Sequence, residues 1–376
     1  MKANVKITAI RPIVCDTGQG RTFLFVLVDT DAGITGVGEG SQNNQDAAVV
    51  ANVRQLAPRY IGQNPLELIE LRVRMLTSNR TGRAIFVAVS AIEQALWDIT
   101  GKLLRVPVYQ LLGGRCHERL RCYATMSAGV DDYTPEGQVC EAARCVSAGY
   151  TAVKIVPFRR LNAGNFDSAE GRRLFQEGIA RVAAVREAVG SDVDVLIECA
   201  FAFDLATAIR VGRALEPYNC LWLEAPLLWD DAIELARLRQ SILQRVASGE
   251  TLHGRRAFRE IIERQAVDVL QPDVTWTGGV LEAKKIAAWA ETYQIAIAPH
   301  NNSGPIATAA SAHLSATLPN FLIMETPSRA PEWESDLLFG NSIVQRGHVS
   351  LERLAQRPGL GVEFDEAVAQ RHKCTL

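Results

Sequence analysis

Long runs of a single charge are missing from this sequence. Its 40 Lys and Arg residues are balanced by 42 Asp and Glu, which gives a formal net charge of −2. Without a basic run there is no electrostatic reason to expect a nucleic acid or an anionic membrane as partner. The sequence also lacks an apolar stretch of membrane-spanning length, and its first residues alternate like a strand instead of forming an apolar signal core. We therefore expect an ordinary globular protein, and 376 residues that are 48% hydrophobic suffice for one large domain and a smaller one.

Paired cysteine motifs are also absent. The eight cysteines show no CxxC or other metal-ligand spacing, and several lie in apolar strand or helix patterns where a reduced thiol packs. Reduced thiols are typical of the cytoplasm, so we expect a cytoplasmic protein. Lysine is scarce as well, because the chain has only 7. One of them, Lys154, lies inside an apolar strand pattern and is therefore a candidate functional residue.

Two kinds of hydrophobic periodicity divide the sequence. The first part begins with alternating apolar segments typical of a β-meander, then shows helical periodicity over residues 46–76 and 84–104. From Cys122 onward, short apolar runs alternate with amphipathic helices, as in strands buried on both faces. There are eight such runs: YATMSAG, TAVKIV, VDVLIE, LWLEAP, RVASGE, VDVLQPD, IAIAPH and FLIMET. The alternation predicts a parallel (β/α) barrel after an α+β unit. An open doubly wound sheet is the alternative, but no GxGxxG follows an early strand.

These patterns also suggest domain boundaries. We place the α+β unit at residues 1–118, the barrel at residues 119–340, and a C-terminal segment at residues 341–376 that returns to the α+β unit. In the helix that begins near Val280, the apolar stripe predicts that Glu282 faces away from the core.

Three glutamates recur at equal spacing at the ends of predicted strands. Glu198, Glu224 and Glu250 each end an apolar run, and each lies 26 residues from the next. A strand plus its return helix takes about this length of chain, so the same position recurs on consecutive βα units, and the three carboxylates should meet at one mouth of the barrel. Three converging anions repel one another unless a cation lies between them, and oxygen ligands favour a hard divalent ion such as Mg²⁺.

Four further ionisable residues end otherwise apolar runs. They are Lys154, Asp273, His300 and Glu325. Lys154 could be a cation beside a substrate carboxylate, or an amine whose lowered pKa lets it exchange protons. Asp273 and His300 end neighbouring strands, and a carboxylate beside an imidazole fixes its tautomer and raises its basicity, as a general base requires. Glu325 could donate a hydrogen bond to an oxyanion if it is protonated, or orient a metal-bound substrate.

Together these residues resemble one known family. The segment AIEQALWDITGKLLRVPVYQLLGG, the three strand-end glutamates, Lys154, the Asp273 and His300 pair, and Glu325 are similar to the enolase superfamily, in particular its mandelate racemase subgroup. The resemblance implies a modified (β/α)7β barrel whose mouth is covered by the N-terminal α+β capping domain. It also implies that Glu198, Glu224 and Glu250 bind Mg²⁺, that a base removes the proton α to a substrate carboxylate to give an enediolate, and that the protein forms a homo-oligomer.

Val156 is a departure from the subgroup. Its members usually carry Lys-x-Lys on the second barrel strand, whereas this chain reads Lys154, Ile155, Val156. Racemisation by two bases needs a proton donor and a proton acceptor on opposite faces of the intermediate, and valine can be neither. Elimination of water needs one base and one acid, and His300 could serve as both in turn. The resemblance therefore favours an acid-sugar dehydratase. The third strand ends in Glu198, Cys199, Ala200, Phe201, however, and lacks the extra histidine that some relatives place there as the leaving-group acid.

Other activities remain open at the level of sequence. Within the same superfamily, the chain could be an epimerase, a racemase or a lactone cycloisomerase. A metal-independent glycosidase would also use rim glutamates, but it has no need of a third one or of the His300 and Asp273 pair. A barrel that has lost its chemistry is the remaining class.

Substrate-binding candidates lie in the loops around the expected mouth. Arg159 and Arg160 follow the second strand and could bind a distal anionic group, or could form a solvated pair. Trp276 could form a wall of the pocket or pack between the barrel and the cap. In the N-terminal unit, the resemblance points to residues 17–21 and 41–44 for recognition, which include Asn43.

Overall fold

The computed structural model describes residues 5–42, 45–67, 82–126, 133–339 and 342–375. The chain begins with a three-stranded antiparallel sheet in which β2 is central. The N-terminal elements are β1 (Ile7–Asp16), β2 (Thr22–Thr30), β3 (Thr35–Glu39), α1 (Asp46–Leu56), a 3-10 turn (Ala57–Arg59), α2 (Arg83–Leu104) and α3 (Val108–Leu111). This is the α+β unit that the alternating and helical patterns predict.

Helix α2 is the core helix of the N-terminal unit. By length and composition alone it could cross a membrane, but 89% of its most apolar window is buried inside the protein. It packs so closely on β3 that a side chain at Gly38 would overlap the carbonyl oxygen of Ala91. At its other side, the carboxylate of Glu93 accepts hydrogen bonds from the backbone N–H groups of Val280 (2.8 Å) and Leu281 (3.0 Å). The helix thus links the sheet to the rest of the chain.

The remaining core is a closed barrel. Within the described residues, eight strands lie parallel in the order β11, β4, β5, β6, β7, β8, β9, β10. A parallel bridge between Ile297 and Phe321 joins β10 to the segment before β11 and closes the ring. The strands are β4 (Arg119–Thr125), β5 (Ala152–Ile155), β6 (Asp194–Glu198), β7 (Trp222–Glu224), β8 (Arg245–Ser248), β9 (Val269–Leu270), β10 (Ala296–Ile297) and β11 (Met324–Pro327). Each of the eight predicted runs overlaps one of them.

Helices return the chain between these strands. They are α4 (Pro135–Ser147), α5 (Ala169–Val189), α6 (Leu205–Leu215), a 3-10 turn (Glu216–Tyr218), α7 (Ala232–Arg239), α8 (Gly254–Glu263), α9 (Val280–Glu291) and α10 (Pro305–Ser315). Side-chain caps start several of them. The hydroxyl of Thr134, for example, accepts from the backbone N–H of Gly137 at 3.1 Å. One expectation is wrong: Glu282 on α9 is buried, because its carboxylate forms a two-pronged ion pair with Arg255 (2.7 Å) on the neighbouring helix.

The C-terminal segment contacts both units. After α11 (Glu334–Leu337), the segment forms β12 (Val344–Gln345), β13 (His348–Ser350), α12 (Leu351–Leu354) and α13 (Glu366–Arg371). Strand β13 pairs antiparallel with the first residues of β4 in the barrel. Further on, the backbone N–H of Leu360 donates to Asp98 of α2 (2.9 Å) and that of Cys374 donates to the carbonyl of Val14 in β1 (2.9 Å). The segment therefore holds the barrel and the N-terminal unit together.

Candidate active site and metal centre

The carboxyl ends of the barrel strands surround one cavity of about 330 Å³. Parallel strands present these ends at the same mouth, which is why residues far apart in sequence meet there. The residues that line the cavity are Thr125, Lys154, Val156, Arg159, Glu198, Ala200, Phe201, Glu250, His300, Asn302 and Glu325.

Glu198, Glu224 and Glu250 form a carboxylate cluster at this mouth. One oxygen from each lies within 4.8 Å of the others. Burial and the charge of Glu224 raise the pKa of Glu198 well above its usual value, and burial raises that of Glu250. The Oε2 atom of Glu250 is buried and has no hydrogen-bond partner. Carboxylates that face one another, one of them with an oxygen that has no hydrogen-bond partner, fit a divalent cation, and oxygen ligands favour a hard ion such as Mg²⁺.

The backbone is strained where these strands end. Ala200 and Phe201, which follow Glu198, have φ angles of +52° and +58°, and Ala225, which follows Glu224, has a φ of +43°. This left-handed region is uncommon for residues other than glycine. The turn lets the backbone N–H of Ala200 donate to Glu198 Oε1 at 2.6 Å, which holds that carboxylate at the mouth.

Lys154 on β5 lies among the acidic residues. Its ammonium contacts Glu224 Oε1, lies 2.8 Å from Glu325 Oε1 and 3.4 Å from Glu198 Oε2. Burial lowers the pKa of Lys154, but Glu224 and Glu325 outweigh it and raise the pKa well above its usual value. The geometry therefore favours the cationic role for Lys154 over that of an amine with a lowered pKa.

His300 and Asp273 form a buried pair. The Nδ1 atom of His300 is 2.7 Å from Asp273 Oδ2, and the other Asp273 oxygen accepts from the backbone N–H of Thr275 at 2.6 Å. Asp273 therefore holds a proton on Nδ1, and Nε2 is the nitrogen that gains or loses a proton. Nε2 lies 3.8 Å from Glu250 Oε2 and 4.0 Å from Glu325 Oε2. Burial lowers the pKa of His300, but Glu250, Glu325 and Asp273 together raise it to about 10.

Glu325 is held as a carboxylate. It accepts hydrogen bonds from the hydroxyl of Thr125 and from the backbone N–H of Asn301 (2.9 Å). Burial raises its pKa, but Lys154 and His300 outweigh this and lower it to about 2. An ionised Glu325 cannot donate a hydrogen bond, so the structure favours the orienting role among the two that the sequence left open.

The substrate-binding candidates occupy different places. Arg159 lines the cavity, whereas Arg160 forms an exposed ion pair with Glu170 at 2.9 Å. Trp276 packs against His300, and the two ring centroids are 4.7 Å apart. Asn43 lies outside the described residues.

Residues of the N-terminal unit contact Trp276 and the rim of the cavity. The guanidinium carbon of Arg83 lies 3.9 Å from the ring centroid of Trp276. Arg21, in the predicted recognition loop, donates to Asn302 Oδ1 at 2.8 Å. Asn302 in turn lines the cavity, so this loop reaches the mouth through one residue.

Sequence reasoning missed one residue that contacts the cluster. Trp222 donates its indole N–H to Glu224 Oε2 at 2.8 Å. The two residues are separated by one position on β7, and alternate residues of a strand share a face. That spacing could have identified Trp222, but an aromatic residue in an apolar run first indicates packing.

Comparisons with known proteins agree with this arrangement. A D-xylonate dehydratase from Haloferax volcanii is 34% identical over 98% of this chain and 89% of its own length. A D-gluconate/D-galactonate dehydratase from Picrophilus torridus is 35% identical over 93% of this chain and 88% of its own. A crystal structure of a mandelate racemase/muconate lactonizing enzyme-like protein from Rubrobacter xylanophilus superimposes with a TM-score of 0.90 at 33% identity, covering 99% of this chain and 98% of that one.

Family models match both parts of the chain. Residues 2–113 match the mandelate racemase/muconate lactonizing enzyme N-terminal domain, and residues 138–368 match the enolase C-terminal domain-like family. With the barrel, the capping unit and the relatives above, these matches show that the chain belongs to the mandelate racemase/muconate lactonizing enzyme family of the enolase superfamily.

Proposed function

We propose that the protein is a Mg²⁺-dependent hydro-lyase that removes water from a sugar acid. The observation that carries this proposal is a single buried base, His300, beside a three-carboxylate cluster, with Val156 in the cavity wall where a second base would be needed for racemisation. The names of the relatives, which include D-xylonate, D-gluconate and D-galactonate dehydratases, support the same class of substrate.

The proposed roles fall into two groups: some residues bind the substrate carboxylate, and others act at its α-carbon. Glu198, Glu224 and Glu250 would hold Mg²⁺, which when bound supplies positive charge where the enediolate develops. Lys154 contributes a second cation on the carboxylate side, and ionised Glu325 holds its ammonium in place.

His300 would carry both proton transfers. Its Nε2 removes the α-proton while Asp273 stabilises the imidazolium that forms. The same Nε2–H then donates to the departing β-hydroxyl on the same face, the C–O bond breaks and water leaves. The enol tautomerises to a 2-keto-3-deoxy acid. In the metal-free protein, Glu250 and Glu325 keep His300 protonated. Neutralising Glu250 with a cation would lower the pKa of His300 and free Nε2 to act as a base.

Product analysis tests this function directly. The protein is incubated with Mg²⁺ and a panel of aldonic and aldaric acids in D₂O, and 2-keto-3-deoxy acids are assayed. A dehydratase gives the keto product, whereas an epimerase or racemase exchanges deuterium without it and a lactone cycloisomerase gives a ring product. A glycosidase would retain activity in EDTA.

A substitution of His300 tests the same proposed function. His300→Asn should abolish turnover while Mg²⁺ binding persists, because asparagine cannot accept the α-proton and the carboxylates remain. The control is His348→Asn, since His348 lies on β13 and contacts the carbonyl of Arg346 (2.9 Å), away from the cavity. Unchanged turnover in His300→Asn would show that the barrel works by other chemistry, whereas a wild-type protein without turnover would indicate a barrel that has lost its chemistry.

Three further expectations belong to this proposal. We expect a cytoplasmic enzyme, and the eight cysteines are all free thiols in the structure, as reducing conditions require. We expect a symmetric homo-oligomer, which sedimentation would test. The names of the relatives support a small carboxylate as substrate, and the balanced charge gives no reason to expect a nucleic acid or a membrane as partner.

A further inference from the structure

Trp222 lies in the barrel interior next to the carboxylate cluster. Its side chain is fully buried in the barrel and packs edge-on against the equally buried Tyr123, with ring centroids 5.5 Å apart at 84°. Its indole N–H donates to Glu224 Oε2 at 2.8 Å. Because close packing surrounds this planar ring, it cannot take another rotamer without displacing its neighbours. The direction of its N–H is therefore fixed.

This hydrogen bond makes Glu224 unlike the other two glutamates of the cluster. Its Oε2 is held by the indole, and its Oε1 contacts the ammonium of Lys154 among the other carboxylates. Glu250, in contrast, has a buried Oε2 without a hydrogen-bond partner. Of the two oxygens of Glu224, Oε1 therefore lies among the charged groups of the cluster, whereas Oε2 is bonded to the uncharged indole.

The number of oxygens that a carboxylate offers discriminates between divalent cations. Ca²⁺ accepts six to eight oxygen ligands and often takes both oxygens of one carboxylate, whereas Mg²⁺ demands near-octahedral geometry with six. A carboxylate that can offer only one oxygen suits Mg²⁺ and denies Ca²⁺ a two-oxygen ligand.

We propose that Trp222 is a positioning residue that restricts Glu224 to binding through one oxygen and thereby makes the site select Mg²⁺ over Ca²⁺. The inference rests on the proposed metal site but not on which acid is dehydrated. It predicts that loss of the indole N–H weakens Mg²⁺ binding and relaxes the preference between the two ions.

Metal titrations of the full-length protein test this inference. The protein is stripped with EDTA, dialysed, and titrated calorimetrically with MgCl₂ or CaCl₂. For Trp222→Phe, the Kd for Mg²⁺ should rise about tenfold or more, as expected when a partner of a metal ligand is lost. The Kd for Ca²⁺ should stay within about threefold, because a freed Oε2 offsets the lost orientation. The ratio of the Ca²⁺ Kd to the Mg²⁺ Kd should thus fall several-fold.

The matched control is Trp289→Phe, which removes a half-buried indole from the outer helix α9. This variant should keep both dissociation constants. A Trp222→Phe protein that is folded by circular dichroism and keeps the wild-type ratio would overturn the inference. Wild-type protein that binds neither ion would instead overturn the metal site itself, so the two failures are distinguishable.

A second measurement covers the case in which Trp222→Phe does not fold. In ¹⁵N-tryptophan-labelled wild-type protein, an indole N–H bonded to a metal ligand should resist exchange with D₂O and shift when MgCl₂ is added, and the shift with CaCl₂ should differ. If no indole signal is both protected and sensitive to Mg²⁺, Trp222 does not support the metal site.

Discussion

Glu39 is a buried carboxylate at the end of one strand and Glu250 is a largely buried carboxylate just past the end of another, yet their surroundings differ. Glu39, at the end of β3, accepts hydrogen bonds from Ser41 Oγ (2.6 Å) and from the backbone N–H groups of Gly304 (2.5 Å), Ile306 (3.1 Å) and Ala307 (2.9 Å). It caps the first turn of α10, the helix that follows His300 in the chain. Glu250 has one buried oxygen, Oε2, without a hydrogen-bond partner, and His300 Nε2 lies 3.8 Å from it.

The difference teaches how to tell a structural carboxylate from a functional one. Burial raises the pKa of both, that of Glu39 to about 6. The donors around Glu39 come from the protein itself, so its environment is complete and its role is to dock the N-terminal unit on the barrel. The Oε2 atom of Glu250 has no such donor from the protein, so a cation from solution would complete its environment.

Removing the charge of Glu250 should have the largest effect. Glu250→Gln takes one of three anionic ligands from the site, so Mg²⁺ affinity should fall by roughly a hundredfold or more and turnover should be lost. Calorimetric titration and the keto-acid assay measure both. The control is Glu260→Gln on the exposed face of α8. Wild-type Mg²⁺ affinity in Glu250→Gln would mean that the cation, if any, binds elsewhere.

Metal removal should make stability depend on pH. In the metal-free protein the pKa of His300 is raised to about 10. Its stabilising contribution is therefore fully present below the unfolded value near 6.5 and is lost as pH rises through about 10. The raised pKa values of Glu198 and Glu250 act in the same direction. We expect a loss of about 2–4 kcal/mol between pH 6.5 and 10.

Urea unfolding in EDTA and in Mg²⁺ measures this pH dependence. The slope should be smaller with Mg²⁺, since the cation then balances the carboxylates in place of the imidazolium. Equal slopes under both conditions would contradict a cation at Glu250.

Removing the charge of Glu39 should affect stability and spare the metal ligands. Glu39→Gln places an NH₂ group against backbone donors, so unfolding at pH 8 should be easier by about 2 kcal/mol. Mg²⁺ affinity measured under native conditions should stay within a few-fold of wild type. A large loss of Mg²⁺ affinity with unchanged stability would reverse the roles assigned to the two carboxylates.

The adjacent arginines give the smallest and most specific test. Arg159→Gln should lower kcat/KM about tenfold, mainly through KM, because Arg159 lines the cavity and a lost charged hydrogen bond costs about 1.5 kcal/mol. Arg160→Gln is the matched control, since its exposed pair with Glu170 contributes little. Equal effects of the two substitutions would indicate a general charge effect instead of a contact with the substrate.

Periodic features could be predicted from the sequence. The eight apolar runs and the spacing of Glu198, Glu224 and Glu250 follow from local patterns, and a parallel barrel brings residues at equivalent strand ends close together. Features that depend on a neighbouring element could not be predicted from the sequence. Glu282 looks solvent-exposed in its own helix, and only the neighbouring helix supplies the Arg255 that makes its burial possible.

The sequence by itself determined the strands, the barrel and the set of ionisable residues at its mouth, because strand periodicity and equal spacing are local properties of the chain. Only the tertiary structure decided which of Arg159 and Arg160 faces the cavity, that Lys154 lies among three glutamates, and that Trp222 holds Glu224. These outcomes depend on side chains from different strands that share one enclosed volume. There the charge state and the hydrogen bonds of each group depend on its neighbours.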